Sequence, residues 1–344
     1  MAIPPACVAV TVELRGENDV RYDLARPDAA ALLQYLARAG DCVACHTDGK
    51  SGKTFAGGLA METPIGTIYS TNITPDKKTG IGDYSFEDFD NAVRKGVAKN
   101  GSTLYPAMPY PSFALVKEDD MRAMYAYFMH GVQPVEQANK DSDIPWPLSM
   151  RWPLSIWRGM FAPSPADFVA DAKADPVIER GRYLVEGLGH CGACHTPRSI
   201  TMQEKALSNS ESDDYLSGSN APIDGWMASS LRSDRKDGLG SWSEAELTEF
   251  LKTGRNDKAI VFGGMSDVVE HSLQYLSDDD LTAMLAGLDQ LASDVADGTF
   301  APTEVSAAPF ASMVDDLVAW GKEQMAAYKY PRHVWLLAEL PKGA

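Results

Sequence analysis

The pentapeptide Cys191-Gly192-Ala193-Cys194-His195 decides how this chain folds, and Cys42-Val43-Ala44-Cys45-His46 repeats its pattern. On one turn of helix, residues i, i+3 and i+4 share a face. C-x-x-C-H is the attachment signature of a c-type haem, because two cysteine sulfurs bond the porphyrin edge while the histidine reaches the iron. A zinc site is the alternative, but it needs four nitrogen or sulfur ligands gathered together. The two widely separated copies favour two covalently bound haem c groups, attached through Cys42, Cys45, His46, Cys191, Cys194 and His195.

The two halves of the chain resemble each other beyond these motifs. Gly240-Ser241-Trp242-Ser243-Glu244-Ala245-Glu246-Leu247 parallels Gly82-Asp83-Tyr84-Ser85-Phe86-Glu87-Asp88-Phe89, and Gly254 parallels Gly96. A serine followed by acidic residues predicts a helix N-terminus, and a glycine one helix length later predicts its end. The chain is therefore an internal duplication in which each copy is a domain in itself.

The bulk composition limits the partners and the compartment. The chain has 344 residues and a net charge of −17, which argues against nucleic acid as a partner. The fifth cysteine, Cys7, has no partner for a disulfide. Haem attachment of this type predicts the periplasm, although no signal peptide is visible in residues 1–20. No stretch is long and apolar enough to span a bilayer.

Each iron needs a sixth ligand or an open site. Met108 lies in a proline-flanked loop and Met265 lies in Phe262-Gly263-Gly264-Met265-Ser266, each before a final helix of its half. A thioether on the far side of the iron suits electron transfer. We therefore predict His46 and His195 as proximal ligands and Met108 and Met265 as distal ligands. His271 is a competitor of Met265, the other histidines (His130, His190, His333) are weaker candidates, and the loop residue Asn72 is a candidate partner for a haem propionate.

Residues 31–290 resemble the cytochrome c subunit of bacterial membrane-bound alcohol, gluconate and sorbitol dehydrogenases. Five stretches carry the resemblance: Ala37–Thr47, Ile68–Pro75, Leu104–Tyr110, Gly187–Arg198 and Phe262–Met265. It implies a periplasmic electron-transfer subunit, peripheral to the cell membrane. The subunit would take electrons from a dehydrogenase carrying PQQ or flavin and pass them to ubiquinone or a membrane complex. It also implies Met108 and Met265 as axial ligands. That family usually has three haem domains, whereas two C-x-x-C-H motifs occur here.

The expected architecture is mainly α, with two tandem class I cytochrome c domains at residues 28–135 and 176–292. A Trp- and Pro-rich connector, 136–175, is either a structured linker or a docking surface for a partner subunit or the membrane. Short irregular extensions occupy 1–27, with a predicted strand pair at 8–14 and 20–24, and 293–344. The tail Ala326–Lys342 weakly resembles the end of acyl-CoA synthetases, from which no activity is carried over.

Two other functions stay open at this stage. One is a dihaem oxidoreductase with one open iron, of the peroxidase or thiosulfate-oxidising type. The other is a haem-free interaction module, if the chain is not exported. The sequence offers no catalytic constellation outside the haem motifs, so an electron-transfer subunit is favoured over a catalyst acting alone.

Overall fold

Helices of the first half gather around the first C-x-x-C-H turn. The computed structural model describes residues 11–12, 22–23, 27–223 and 225–296. Its first elements are β1 (Thr11–Val12), β2 (Tyr22–Asp23), α1 (Pro27–Ala39), α2 (Cys42–Cys45), β3 (Ala60–Thr63), β4 (Gly66–Tyr69), α3 (Phe86–Lys95), α4 (Tyr110–Phe113) and α5 (Glu118–Ala126). A π-helical turn, Tyr127–Gly131, continues α5.

A connecting helix, α6 (Trp152–Phe161), leads into the second half. That half contains α7 (Pro176–Arg182), a π-helical segment (Tyr183–Leu188), α8 (Gly192–His195), α9 (Glu244–Thr253), α10 (Gly264–His271), a 3₁₀ turn (Leu273–Tyr275) and α11 (Asp278–Ala296). The expectation of a mainly helical chain is confirmed for the described residues. Within them, no helix combines the length and apolar character needed to cross a membrane.

The predicted helix signals at α3 and α9 are confirmed in detail. The Ser85 and Ser243 side chains each accept the backbone N–H three residues on, and in return the Asp88 and Glu246 carboxylates accept the serine N–H. This reciprocal pairing satisfies amide donors that a helix start otherwise leaves unbonded. Both helices end at a glycine in the left-handed region, with φ of 64° at Gly96 and 74° at Gly254.

Other sequence predictions fare differently. The sequence analysis predicts no strand within residues 51–80, but β3 and β4 form an antiparallel hairpin there, with Ala60 opposite Tyr69 and Thr63 opposite Gly66. Of the predicted N-terminal strand pair, Thr11–Val12 and Tyr22–Asp23 are described and pair antiparallel. Cys7, His333 and the tail that resembles acyl-CoA synthetases lie outside the described residues.

The core continues from one half into the other. The Tyr35 hydroxyl on α1 donates to Asp280 of α11 at 2.6 Å, and Arg180 of α7 donates to both oxygens of the same carboxylate at 2.8 Å. Helices α7 and α11 approach so closely at Gly181 that an added Cβ would lie 1.8 Å from the Ala283 carbonyl oxygen. Any side chain at Gly181 would therefore push the two helices apart.

Each half uses one cation to tie its middle helix to the start of its last helix. In the first half, buried Arg94 donates to Asp90 at 2.5 Å, to the Val116 carbonyl at 3.1 Å and to Asp167 at 2.9 Å. In the second half, Lys252 donates to the Leu276 carbonyl at 2.6 Å. The Arg94 side chain is 9% exposed and the Lys252 side chain 35%. The cation that bonds the carbonyl before the last helix is therefore buried in the first half and partly solvated in the second.

This difference predicts unequal effects of removing the two cations. Arg94→Met should lower the free energy of unfolding by roughly 3 kcal/mol, because Asp90 would keep a buried charge with no counter-charge. Lys252→Met should cost less than about 1 kcal/mol, because its partner Asp278 is solvated. Denaturant unfolding of the haem-loaded variants measures both values. Equal losses would contradict the burial argument.

Candidate haem-binding sites

The first C-x-x-C-H motif forms a single helical turn directly after α1. Asp41 adopts a left-handed conformation, with φ of 51°, which ends the approach to the turn and starts α2. The His46 N–H then donates to the Cys42 carbonyl at 3.0 Å. Val43 is buried in the core, while both cysteines and His46 are half-buried. The three predicted haem-binding residues therefore lie on one turn, as the spacing predicted.

A hydrogen bond fixes the orientation of the His46 ring. Its Nδ1 lies 2.7 Å from the Thr71 carbonyl oxygen. A carbonyl oxygen only accepts, so Nδ1 carries the proton and Nε2 keeps its lone pair. Desolvation lowers the pKa of His46, which favours the neutral ring. A neutral imidazole held through its other nitrogen is the usual form of a histidine that binds a metal.

The second motif repeats this arrangement atom for atom. The His195 N–H donates to the Cys191 carbonyl at 3.0 Å, and His195 Nδ1 lies 2.7 Å from the Ser229 carbonyl oxygen. Desolvation lowers the pKa of His195 as well. Both halves therefore present a histidine Nε2 beside a pair of cysteines.

A common backbone scaffold holds the two acceptor carbonyls in place. Gly57 donates its N–H to the His46 carbonyl at 2.8 Å, and Gly218 does the same to His195 at 2.8 Å. Both glycines have positive φ, 71° and 99°. A Cβ at Gly57 would lie 2.4 Å from the Thr71 carbonyl carbon. Because Gly57 has no side chain, the segment at Thr71 can pass close enough for its carbonyl oxygen to accept from His46.

The threonine that follows each motif holds a residue of positive φ in the next loop. The sequence analysis did not predict this role of the threonine. Thr47 Oγ1 accepts the N–H of Phe55, and Thr196 Oγ1 accepts that of Leu216, both at 3.1 Å. Phe55 and Leu216 have φ of 62° and 57°, a region that bulky residues rarely adopt. The recurrence of C-x-x-C-H-T in the sequence was the available signal for this role.

The two predicted methionines lie on aromatic-lined segments of their halves. Met108 is half-buried and packs on the core, and the fully buried Tyr110 donates its N–H to the Met108 carbonyl at 2.8 Å. Met265 also packs on the core, but it lies in the first turn of α10. Just before it, the Trp226 and Phe262 rings pack with centroids 4.7 Å apart.

Two of the other sequence candidates have different roles. The Asn72 amide donates to the Val135 and Gln137 carbonyls at 2.8 and 3.2 Å, and its oxygen accepts from Thr74. Asn72 is 2% exposed, so the prediction of a propionate contact is wrong: its polar atoms fasten its loop to the chain after α5. His190 packs edge-on against Phe113, with ring centroids 5.3 Å apart.

His190 also brings the two attachment turns together. Its ring lies beside the backbone of Gly40, two residues before Cys42, and His190 itself precedes Cys191. A Cβ at Gly40 would lie 3.6 Å from Cys42 Sγ and 3.8 Å from a methyl of Leu188. The N-terminal edges of the two motifs are therefore neighbours.

The outer side of the second attachment turn carries a buried acid. Arg198 donates to the Ala193 carbonyl at 2.6 Å and lies 3.9 Å from Glu204 Oε1. A Cβ at Gly192 would lie 3.0 Å from Glu204 Oε2, an atom with no hydrogen-bond partner within the described part of the chain. Burial raises the pKa of Glu204 to about 7.

The donor set fits a covalently attached haem better than a zinc ion. Burial raises the pKa of Cys42 and of Cys191 to about 12, so both side chains are protonated thiols in the metal-free chain. Within the described ranges, no three His, Cys, Asp or Glu side chains are gathered to hold a metal ion. A haem c would use the paired sulfurs for its thioether bonds and the free Nε2 of the histidine as a ligand of its iron.

Comparison with known proteins places the chain among c-type cytochromes. No protein-family profile matches it. It is 72% identical over 266 residues to the gluconate 2-dehydrogenase cytochrome c subunit of Pantoea cypripedii, covering 77% of this chain and 60% of that subunit. It is 61% identical over 269 residues to the cytochrome c subunit of a quinone alcohol dehydrogenase of Gluconacetobacter polyoxogenes, covering 77% and 57%.

A third relative is matched over most of its length. The chain is 34% identical over 256 residues to a "diheme cytochrome c-type" protein of Cereibacter sphaeroides, covering 73% of this chain and 81% of that protein. The chain is thus a c-type cytochrome, which implies haem c. More particularly, it belongs to the family of the cytochrome c subunits of bacterial gluconate and alcohol dehydrogenases, and it spans about 60% of their length.

The glycine that positions Thr71 gives a direct test of the first site. Gly57→Ala should displace the Thr71 carbonyl, because the new methyl would lie 2.4 Å from its carbon. We expect covalent haem per chain to fall by up to half, measured by the pyridine haemochrome assay. Gly49→Ala is the matched control, since a Cβ there meets nothing within 4 Å. Wild-type haem content in Gly57→Ala would contradict this role of the carbonyl.

Burial of Glu204 predicts a pH dependence of stability. The folded chain binds the Glu204 proton more tightly than the unfolded chain, so this stabilisation is complete below about pH 4.5 and is lost as pH rises through about 7. The change amounts to roughly 3 kcal/mol. Glu204→Gln should therefore flatten the unfolding free energy between pH 4.5 and 7, measured with denaturant. The exposed control Glu270→Gln should keep the wild-type slope, and a wild-type slope in Glu204→Gln would refute the argument.

Proposed function

We propose that the chain is a dihaem c-type cytochrome that relays electrons from a partner dehydrogenase towards ubiquinone or another membrane component. The partner carries PQQ or flavin and oxidises an alcohol or a sugar. Cys42 and Cys45 attach one haem, in a domain at residues 28–135, and Cys191 and Cys194 attach the other, in a domain at 176–292. The axial pairs are His46 with Met108 and His195 with Met265. The chain works in the periplasm at the membrane surface.

One observation carries this proposal: both C-x-x-C-H histidines use Nδ1 to donate to a loop carbonyl at 2.7 Å. The lone pair on Nε2 is thereby aimed away from the supporting loop in each half. Two separate loops, at Thr71 and at Ser229, each provide a carbonyl that accepts from the histidine of their own half. This repetition supports two equivalent haem sites.

The haem, when bound, supplies a one-electron couple, and the chain supplies its surroundings. Met108 and Met265 are both partly buried and packed against the core, which supports thioether ligation on the far side of each iron. An iron closed on both sides exchanges electrons and binds no substrate. Bond chemistry is therefore left to the partner's cofactor.

The contact between the two attachment turns supports transfer from one haem to the other. The His190 ring, directly before the second motif, lies beside Gly40, two residues before the first. A Cβ at Gly40 would lie 3.8 Å from a methyl of Leu188, so the two chain segments run close together at the same place. The two sites share this packed boundary, so an electron need not cross solvent between them.

The methionine ligands are tested by substitution and spectroscopy. Met108→Ala and Met265→Ala should each remove about half of the weak absorption at the red end of the oxidised spectrum that Met–iron ligation produces. Each should also lower the reduction potential of one haem, because a thioether stabilises the reduced iron. Haem content should stay at the wild-type level.

Met61→Ala, in strand β3, is the control and should leave the spectrum and both potentials unchanged. An unchanged spectrum and potential in Met265→Ala would contradict the relay. That result would favour an oxidoreductase with one open iron.

A further inference from the structure

One side of helix α6 is fixed to the body of the protein. Trp157 donates its indole N–H to the Thr201 carbonyl at 2.7 Å. Its ring also lies edge-on to Tyr110, with centroids 6.5 Å apart, and against Phe161 at 5.6 Å. These contacts join α6 to the Met108 segment of the first half and to the loop after the second C-x-x-C-H motif. The rotation of α6 about its own axis is thereby set.

An adjoining side of α6 is apolar and exposed. Trp152, Ile156 and Met160 follow one another at intervals of four residues, so they share a face of the helix. They are 62%, 52% and 64% exposed, and none of the α6 residues is buried. A helix whose apolar face meets water in this way usually packs against something else.

Neighbouring segments extend this apolar surface. Trp146 and Leu148, in the turn before α6, are 81% and 54% exposed. Ile200 is 99% exposed and precedes Thr201, whose carbonyl accepts the Trp157 N–H. We call the six side chains together the α6 surface: Trp146, Leu148, Trp152, Ile156, Met160 and Ile200.

The two stretches of chain that carry the α6 surface contain no acidic residue, although the chain as a whole carries −17; Glu204, which follows the second stretch, lies 3.9 Å from Arg198. Residues 144–166 contain no Asp or Glu, and residues 198–203 contain none either. Three arginines (Arg151, Arg158 and Arg198) occur in these two stretches. An anionic surface repels an acidic protein, so it is opposed least where acidic side chains are absent and arginines are present.

We propose that the α6 surface rests on the anionic phospholipid surface of the membrane. Tryptophan is favoured at the boundary between headgroups and hydrocarbon, where its apolar ring is buried and its N–H stays wet. A short helix with an apolar face and flanking arginines lies in that plane without crossing the bilayer. The proposal deepens, and rests on, the location at the membrane surface proposed above.

Vesicle co-sedimentation of the haem-loaded chain tests the proposal. One set of vesicles is phosphatidylcholine alone, and the other contains phosphatidylglycerol as about a third of the lipid. We expect the chain to sediment with the anionic vesicles and to be released by high salt. The double variant Trp152→Glu with Ile156→Glu should reduce the bound fraction at least tenfold.

A charge-matched control separates the surface from the net charge. Val169→Glu with Ile260→Glu adds the same two charges at positions that are 84% and 66% exposed, outside α6. This control should bind anionic vesicles like the wild type. Equal loss in both double variants would overturn the proposal, because net charge alone would then govern binding.

Two further outcomes would also overturn it. One is no vesicle binding by the wild type. The other is self-association or capture of a dehydrogenase subunit that the α6 variant abolishes, which would assign the face to a protein partner. Haem content and the Met–iron absorption are recorded for every sample. Failure of lipid binding with both intact leaves the electron relay standing.

Discussion

The hydrogen bond from a histidine Nδ1 to a loop carbonyl is the constraint on which both haem sites depend. At 2.7 Å in each half, it fixes the tautomer and the ring plane of His46 and His195. The acceptor loops are themselves held by Gly57 and Gly218, whose N–H groups return to the carbonyl of the same histidine. In each half, the loop and the histidine are therefore hydrogen-bonded to each other at two points. The imidazole proposed to bind the iron is held in place by protein contacts alone.

The two halves share the same contacts but differ in the residues that make them and in how deeply those residues are buried. Arg94 in the first half and Lys252 in the second both donate to the carbonyl that precedes the last helix of their half. Only the first is buried among carboxylates, and the buried acid at the attachment turn is Asp41 in the first half and Glu204 in the second. Two haems held at the proposed sites would therefore have unlike surroundings. Unlike surroundings set unlike potentials, which a relay needs in order to have a direction.

Local signals in the sequence predicted much of this architecture. The spacing of C-x-x-C-H predicted the attachment turns, and the caps at Ser85, Gly96, Ser243 and Gly254 predicted the boundaries of α3 and α9, because capping depends on neighbours along the chain. The sequence could not predict that the Thr71 and Ser229 carbonyls accept from the histidines, because every residue type has a backbone carbonyl. The β3–β4 hairpin was missed because its short strands lie in a Gly- and Thr-rich stretch. Asn72 was misassigned because the partners that use its amide lie more than sixty residues away.

The most direct test of the account is the number of haems attached to one chain. The chain would be expressed with an export leader and a haem-attachment system, and its intact mass would be compared with its pyridine haemochrome absorbance. The account predicts two haem masses per chain, with one lost when Cys42 and Cys45 are replaced by serine and the other lost when Cys191 and Cys194 are. A folded chain that carries one haem or none would contradict the claim that both turns are built for the same cofactor.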